Sequence, residues 1–141
     1  MVVDHTIRAM AAGSMEAADL FPRVLDCLGT YADASLTDVF QRRVRQVPAW
    51  MLLRWVGQMM AHLDEPHAPA VVDVLLQVAD AFPQALFYPF KVSRSAMPDL
   101  DEAVVAPLAA KLHNELLETF SAALGLCVLP LLCLRARQAR G

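Results

Sequence analysis

The sequence predicts an all-α protein, an α-solenoid of antiparallel helix pairs with about five to seven helices. Three observations carry this. Apolar residues recur at helical spacing along most of the chain, with no strand-like alternation. Prolines mark the gaps between these periodic runs, where they start or stop helices. Hydrophobic residues make up 57% of the 141 and charged ones only 19%, against about 45–50% and about 25% in ordinary soluble domains. That is more apolar surface than a lone small domain must bury, and internal repeats have such a surplus because they stack on neighbours at both ends. A compact helical bundle also satisfies the pattern, and no strict repeat period is visible.

Taken in order, a short first helix precedes one opened by Pro22 and running to Tyr31. Ser35 with Asp38 three residues on resembles a capping box and opens a helix to about Gln46. Its apolar arc holds Leu36, Val39, Phe40, Val44 and Val47, with Arg43 set inside it. From Pro48 to Leu63 the periodicity is clearest: Met51, Leu52, Trp55, Val56, Met59, Met60 and Leu63 share one face, and Arg54, Gly57 and Gln58 lie opposite. Pro48 suits a first helical position, and Asp64-Glu65-Pro66 ends the helix. From about Ala68 to Phe82, Val71, Val72, Val74, Leu75, Leu76, Val78, Ala79 and Phe82 leave only a polar strip of Asp73, Gln77 and Asp80, as expected of a helix covered on two sides. Beyond Pro83 a partly irregular stretch reaches Ser95, and Met97-Pro98-Asp99 forms a loop. A last helix, from Asp101 or Pro107 to Leu124, carries Val104, Val105, Leu108, Leu112, Leu116 and Phe120 on one side.

The composition excludes several functions. A net charge of −3 gives no clustered positive surface for neutralising phosphates. High hydrophobicity excludes disorder over most of the chain. The longest apolar run, Ala122 to Leu134, contains Pro130 and falls short of the roughly 20 residues a membrane span needs. The N-terminus lacks the basic start and apolar centre of a secretory signal. Cys27, Cys127 and Cys133 have neither disulfide nor zinc spacing, so a reducing intracellular compartment is expected.

Chemistry-bearing patterns are missing from the sequence: no phosphate-binding glycine loop, kinase signature, nucleophile elbow or H-E-x-x-H occurs. No catalytic, cofactor-binding or metal residues are therefore expected. His62, Asp64, Glu65 and His67 are suitable ligand types, but their spacings straddle a helix end and read as a solvated turn. Arg42 and Arg45 belong to an exposed face, whereas Arg43 is expected to pair with a carboxylate while its stem lies on apolar neighbours, in preference to binding phosphate. Ser93-Arg94-Ser95 is too common a sequence to imply a phosphate acceptor. Met51, Met59 and Met60, with Trp50 and Trp55, read as core filling rather than as a binding groove.

Four stretches, in this order, resemble the FAT domain of phosphatidylinositol-3-kinase-related protein kinases. They are Phe21-Pro22-Arg23-Val24-Leu25; Val47-Pro48-Ala49-Trp50 leading to Arg54-Trp55-Val56-Gly57-Gln58-Met59; Ala68 to Phe82; and Phe82-Pro83-Gln84-Ala85-Leu86-Phe87-Tyr88-Pro89-Phe90. The P-Q-A-x-x-Y-P element is shared with the TOR type, and the other motifs are most similar to the DNA-dependent protein kinase branch. The likeness covers residues 20 to 96 well and Asp101 to Leu124 more loosely, marking Pro22, Pro48, Trp50, Trp55, Pro83, Gln84, Tyr88 and Pro89 as structural motif residues. It divides the chain into an unmatched stretch (1–15), a FAT-type segment (16–124) and a divergent or aberrant apolar and basic tail (125–141).

The resemblance implies a segment that wraps and supports a kinase domain and packs on neighbouring helical repeats. It also implies nuclear serine/threonine phosphorylation, triggered in a complete relative by DNA ends with the Ku heterodimer, in end-joining repair. ATP and Mg²⁺ residues would lie in the kinase domain, and no position here corresponds to them. No nucleic-acid or membrane contact is expected of the segment itself. Within the shared motif, Pro83 stops one helix and starts the next, Gln84 hydrogen-bonds the backbone at the break, Tyr88 buries its ring, and Pro89 interrupts the new helix. Two other readings remain open: a free-standing adaptor that binds a partner helix, and a tail-anchored protein using Ala122 to Leu134 with the Arg135 to Arg140 flank.

Overall fold

The apolar positions at three- and four-residue spacing form helices throughout a computed structural model, which describes residues 2–31, 33–97 and 100–116. The elements are α1 (Val2–Ala11), α2 (Met15–Ala18), α3 (Phe21–Tyr31), α4 (Ala34–Val44), α5 (Ala49–Leu52), a 3₁₀ turn (Leu53–Trp55), α6 (Val56–Met60), α7 (Ala68–Ala81) and α8 (Pro83–Ala96). A further helix, α9, covers 102–116. No strand occurs among the described residues. Phe120, the helix end at Leu124, the Ala122 to Leu134 run, Cys127, Cys133, the 125–141 tail and Pro98-Asp99 lie outside the described residues.

Contacts pass along the chain. Helix α1 packs on α2, α3 and α4; α4 and α5 on α7; α6 on α7 and α8; and α7 on α8. This is an all-α helical-repeat arrangement with one continuous core. Val3, Ile7 and Met10 place α1 inside that core, so this helix, which lies within the stretch unmatched in the resemblance, supplies packing to α3 and α4. The rings of Phe21 and Phe40 stack with centroids 6.4 Å apart where α3 meets α4. On α7, Val71, Val74, Leu75, Val78 and Ala79 have no exposed surface, and of the three polar-strip residues Asp80 is exposed while Asp73 and Gln77 are half-buried, which fits a helix covered on two sides. Met51, Met59 and Met60 are buried core residues.

Several boundaries differ from the sequence reading, each for a local reason. The cap of α4 is Asp33 rather than Ser35: the Asp33 carboxylate accepts from the Ser35 N–H at 2.9 Å, and the helix starts two residues earlier, at Ala34. Pro48 is an extended cap (φ −57°, ψ 130°) rather than the first helical residue. The helix expected from Pro48 to Leu63 is broken by the 3₁₀ turn and ends at Met60, with turns over 61–67 in place of an Asp64–Pro66 stop. Three residues at 3.0 per turn add only about 20° each to the helical advance. Met51, Leu52, Val56, Met59 and Met60 therefore stay on the buried side.

The largest difference is α8. The stretch expected to be irregular is a 14-residue helix that runs through Pro89. Proline removes one helical hydrogen bond, here the one toward the Ala85 carbonyl, but Ala85 is exposed and water can take its place. Leu86 and Phe90, buried on either side of Pro89 against the preceding helices, hold the helix through the gap. In α9, Asp101 caps by accepting from the Ala103 N–H at 2.9 Å, and Pro107 is likewise accommodated inside the helix.

Candidate functional site

The motif residues do not converge on one site. Pro22 is half-buried as the second residue of α3, and Pro48, half-buried, leads into α5. Trp50 is 52% exposed and thus outside the core it was expected to fill. Trp55 is half-buried beneath Arg54, whose guanidinium carbon lies 4.9 Å from the ring centroid and whose Nη1 meets Asp19 at 2.7 Å. The Trp55 indole Nε1 is buried without an acceptor among the described residues.

At the α7–α8 elbow, Phe82 adopts φ −141°, ψ 59° and ends α7, and Pro83 starts α8, as proline suits a first helical turn. The break is closed by backbone alone: Phe82 N–H donates to the Val78 carbonyl at 2.7 Å and Ala85 N–H to the Phe82 carbonyl at 3.1 Å. Gln84 is exposed, and the expected side-chain bond at the break is replaced by these two. Tyr88 is 72% exposed rather than buried, because Leu86 and Phe90 take the inward positions of α8. Phe82, Phe87, Tyr88 and Val92, at the elbow and along α8, are each partly uncovered.

Polar contacts join helices to one another. Arg43 Nε donates to Asp4 at 2.9 Å, tying α4 to α1 with the carboxylate partner its position in the apolar arc requires. Gln41 donates to Asp73 at 2.9 Å, and Gln77 donates to the Val47 carbonyl at 2.8 Å. Lys111 on α9 reaches Asp80 at 2.7 Å and Glu115 at 3.0 Å, and these hydrogen bonds raise its pKa. Arg42, exposed, pairs with Asp38 at 2.7 Å, and Ser95 donates to the Lys91 carbonyl.

The 61–67 turn is less solvated than its composition implies. His67 is 7% exposed, and neither ring nitrogen has a hydrogen-bond partner among the described residues. Its ring lies 5.1 Å from that of His62, whose Nε2 is 4.0 Å from Asp26. Desolvation, then the neighbouring His62, lower the His67 pKa below 6.5, with Glu65 opposing. Beside His67 a cleft of about 380 Å³ opens between α3, α4 and the start of α7. Among the described residues no three His, Cys, Asp or Glu side chains are placed to hold a metal ion. Sequence reading missed the burial of His67; the available signal was Gly29, a glycine within an apolar-periodic helix that permits close approach.

No family model matches the chain. Curated relatives do. The DNA-dependent protein kinase catalytic subunit of Dictyostelium discoideum is 36% identical over 119 residues, 84% of this chain. That of Mus musculus is 32% identical over 132 residues, 88% of the chain, and that of Xenopus laevis 39% over 93 residues, 66%. The chain spans only 3%, 3% and 2% of the length of these relatives. Three relatives of one kind, from a slime mould, a mammal and an amphibian, thus match the same helical chain. Over most of its length, this chain is homologous to one segment of the DNA-dependent protein kinase catalytic subunit.

Proposed function

We propose that the chain is a non-catalytic, FAT-type helical scaffold segment of a serine/threonine kinase like the DNA-dependent protein kinase catalytic subunit, supporting the kinase domain in end-joining repair of DNA double-strand breaks. The homology to that subunit over most of the chain carries the reading. The stacked helices support it: the polar contacts Asp4–Arg43 and Gln41–Asp73 between helices, and Gln77 to the Val47 carbonyl in the α4–α5 connection, act as ties. In this reading the segment itself holds no ATP, Mg²⁺ or other cofactor, which belong to the kinase domain. Its partners are that domain and the neighbouring helical repeats, while Ku and DNA ends act at the level of the whole protein, in the nucleus. It touches neither nucleic acid nor membrane.

Two experiments test this. Full-length transcript sequencing should find kinase-coding sequence downstream in the same reading frame; a message that stops after residue 141 overturns the reading. In the complete protein, Leu75→Asp, which places a charge in a fully buried position, should lower DNA-stimulated phosphorylation and end joining together. Unchanged activity of a folded variant would remove the supporting role.

A further inference from the structure

Between α8 and α9 runs a groove of about 430 Å³. Its floor is apolar, formed by the buried Phe90 and Leu112 and the half-buried Ala109, with Phe87 39% exposed at the edge. Its sides carry Lys91, Arg94 and His113. The spacing makes the groove: Phe87, Lys91 and Arg94 follow at four- and three-residue intervals on α8, facing Ala109, Leu112 and His113 on α9.

The charges are unevenly satisfied. Arg94 binds both carboxylate oxygens of Glu102 at 2.8 Å. Elsewhere Arg42, Arg43, Arg54 and Lys111 each have a carboxylate. Lys91 and His113 have none among the described residues. An ammonium with no carboxylate among the described residues thus stands beside the partly exposed Phe87 ring and the apolar floor, in a protein whose net charge is negative.

We infer that the α8–α9 groove seats an acidic amphipathic helix, its apolar stripe on Phe87, Phe90 and Leu112 and a carboxylate on Lys91. A furrow between two packed helices accepts a third by ridge-into-groove packing. Its apolar floor selects an apolar stripe, and the basic side selects the sign of the flanking charge. The helix comes from elsewhere in the larger kinase polypeptide; that source rests on the scaffold reading above.

The test is titration of the full 141-residue chain with a fluorescent synthetic helix of about 18 residues, long enough for about five turns, bearing a leucine face flanked by glutamates, read by fluorescence anisotropy. Saturable binding is expected, weakened about fivefold by Lys91→Glu and abolished by Phe87→Asp. Both positions lie at the surface, and circular dichroism checks that the variants keep their helix content. A peptide with lysines in place of the glutamates should not bind. Equal binding of the two peptides, or binding of neither, overturns the inference. A benzophenone cross-linker at position 87 tests the other occupants: cross-linked dimers would give the groove to a second copy, and internal links to 117–141 would give it to the chain's own continuation, either outcome overturning it. A message ending at residue 141 removes the proposed source of the helix but leaves this titration unchanged, so the two readings fail separately.

Discussion

The imidazole of His67 lies against Gly29, so that a Cβ at position 29 would stand 3.1 Å from Cε1 and 3.5 Å from Nδ1. The start of α7 thereby meets α3 at the one glycine of that helix. Gly29→Ala gains about 0.5–1 kcal/mol in helix propensity but crowds a buried ring already flanked by His62. Overpacking costs about 1–3 kcal/mol, so a net loss of about 1 kcal/mol is expected. Chemical denaturation checks it, and equal or greater stability of the alanine variant would show that the ring has room to yield.

The same ring makes stability depend on pH. Burial, followed by His62, depresses the folded pKa of His67 below 6.5, while Glu65 works the other way. The unfolded chain therefore takes up this proton first as pH falls. The contribution of the neutral ring is fully present above the unfolded pKa and declines as pH drops through about 6.5 toward the lower folded value. Urea midpoints should fall between pH 7.5 and 5.5, and His67→Leu should shrink that fall. An identical pH slope in the variant would refute the assignment.

Arg43 and Asp4 link helices 39 residues apart in sequence. The Arg43 side chain is 41% exposed and that of Asp4 19%, so solvent screening limits the pair. A double-mutant cycle with Arg43→Ala and Asp4→Ala should give a coupling of about 0.5–1 kcal/mol, diminished at about 1 M salt, where the Debye length is about 3 Å. Arg8, 3.9 Å from Asp4, remains as a weaker partner in the single Arg43 variant.

Position decides the size of truncation effects. Leu75 is fully buried, and Leu75→Ala should cost about 2–5 kcal/mol. Tyr88→Phe, at a largely exposed residue, should stay within about 0.5 kcal/mol of the parent. Thermal unfolding of both variants gives the contrast, and a large Tyr88→Phe effect would place its hydroxyl in a bond.

Pro89 is the clearest candidate for stabilisation. Pro89→Ala restores an N–H that can donate to the Ala85 carbonyl and relieves the ring's clash with the preceding turn. A gain of about 1 kcal/mol or more is expected by denaturant titration. A loss would mean that the proline ring contributes packing that outweighs the missing bond.

Most of the helical layout was legible because it rests on periodicity, a property of neighbouring residues. The methionine face of 51–60, the apolar α7 and the pairing of Arg43 all follow from spacing. What was hidden depends on distant partners. Pro89 reads as a breaker until Leu86 and Phe90 are seen held by α6 and α7. His67 reads as solvated until Gly29, 38 positions earlier, lets α3 approach it. Asp33 and Ser35 both suit a cap, and only the backbone path decides between them. The α8–α9 groove escaped notice because its two walls come from separate helices, neither of which is unusual alone.

The placement of α1 affects synthesis as well as stability. Ile7 and Met10 are buried in a helix that packs on α4, and α4 ends at Val44, well after α1 ends at Ala11. At about 5–20 residues per second, α1 leaves the ribosome on the order of seconds before the whole of that partner. Slower translation of the stretch between them lengthens the wait.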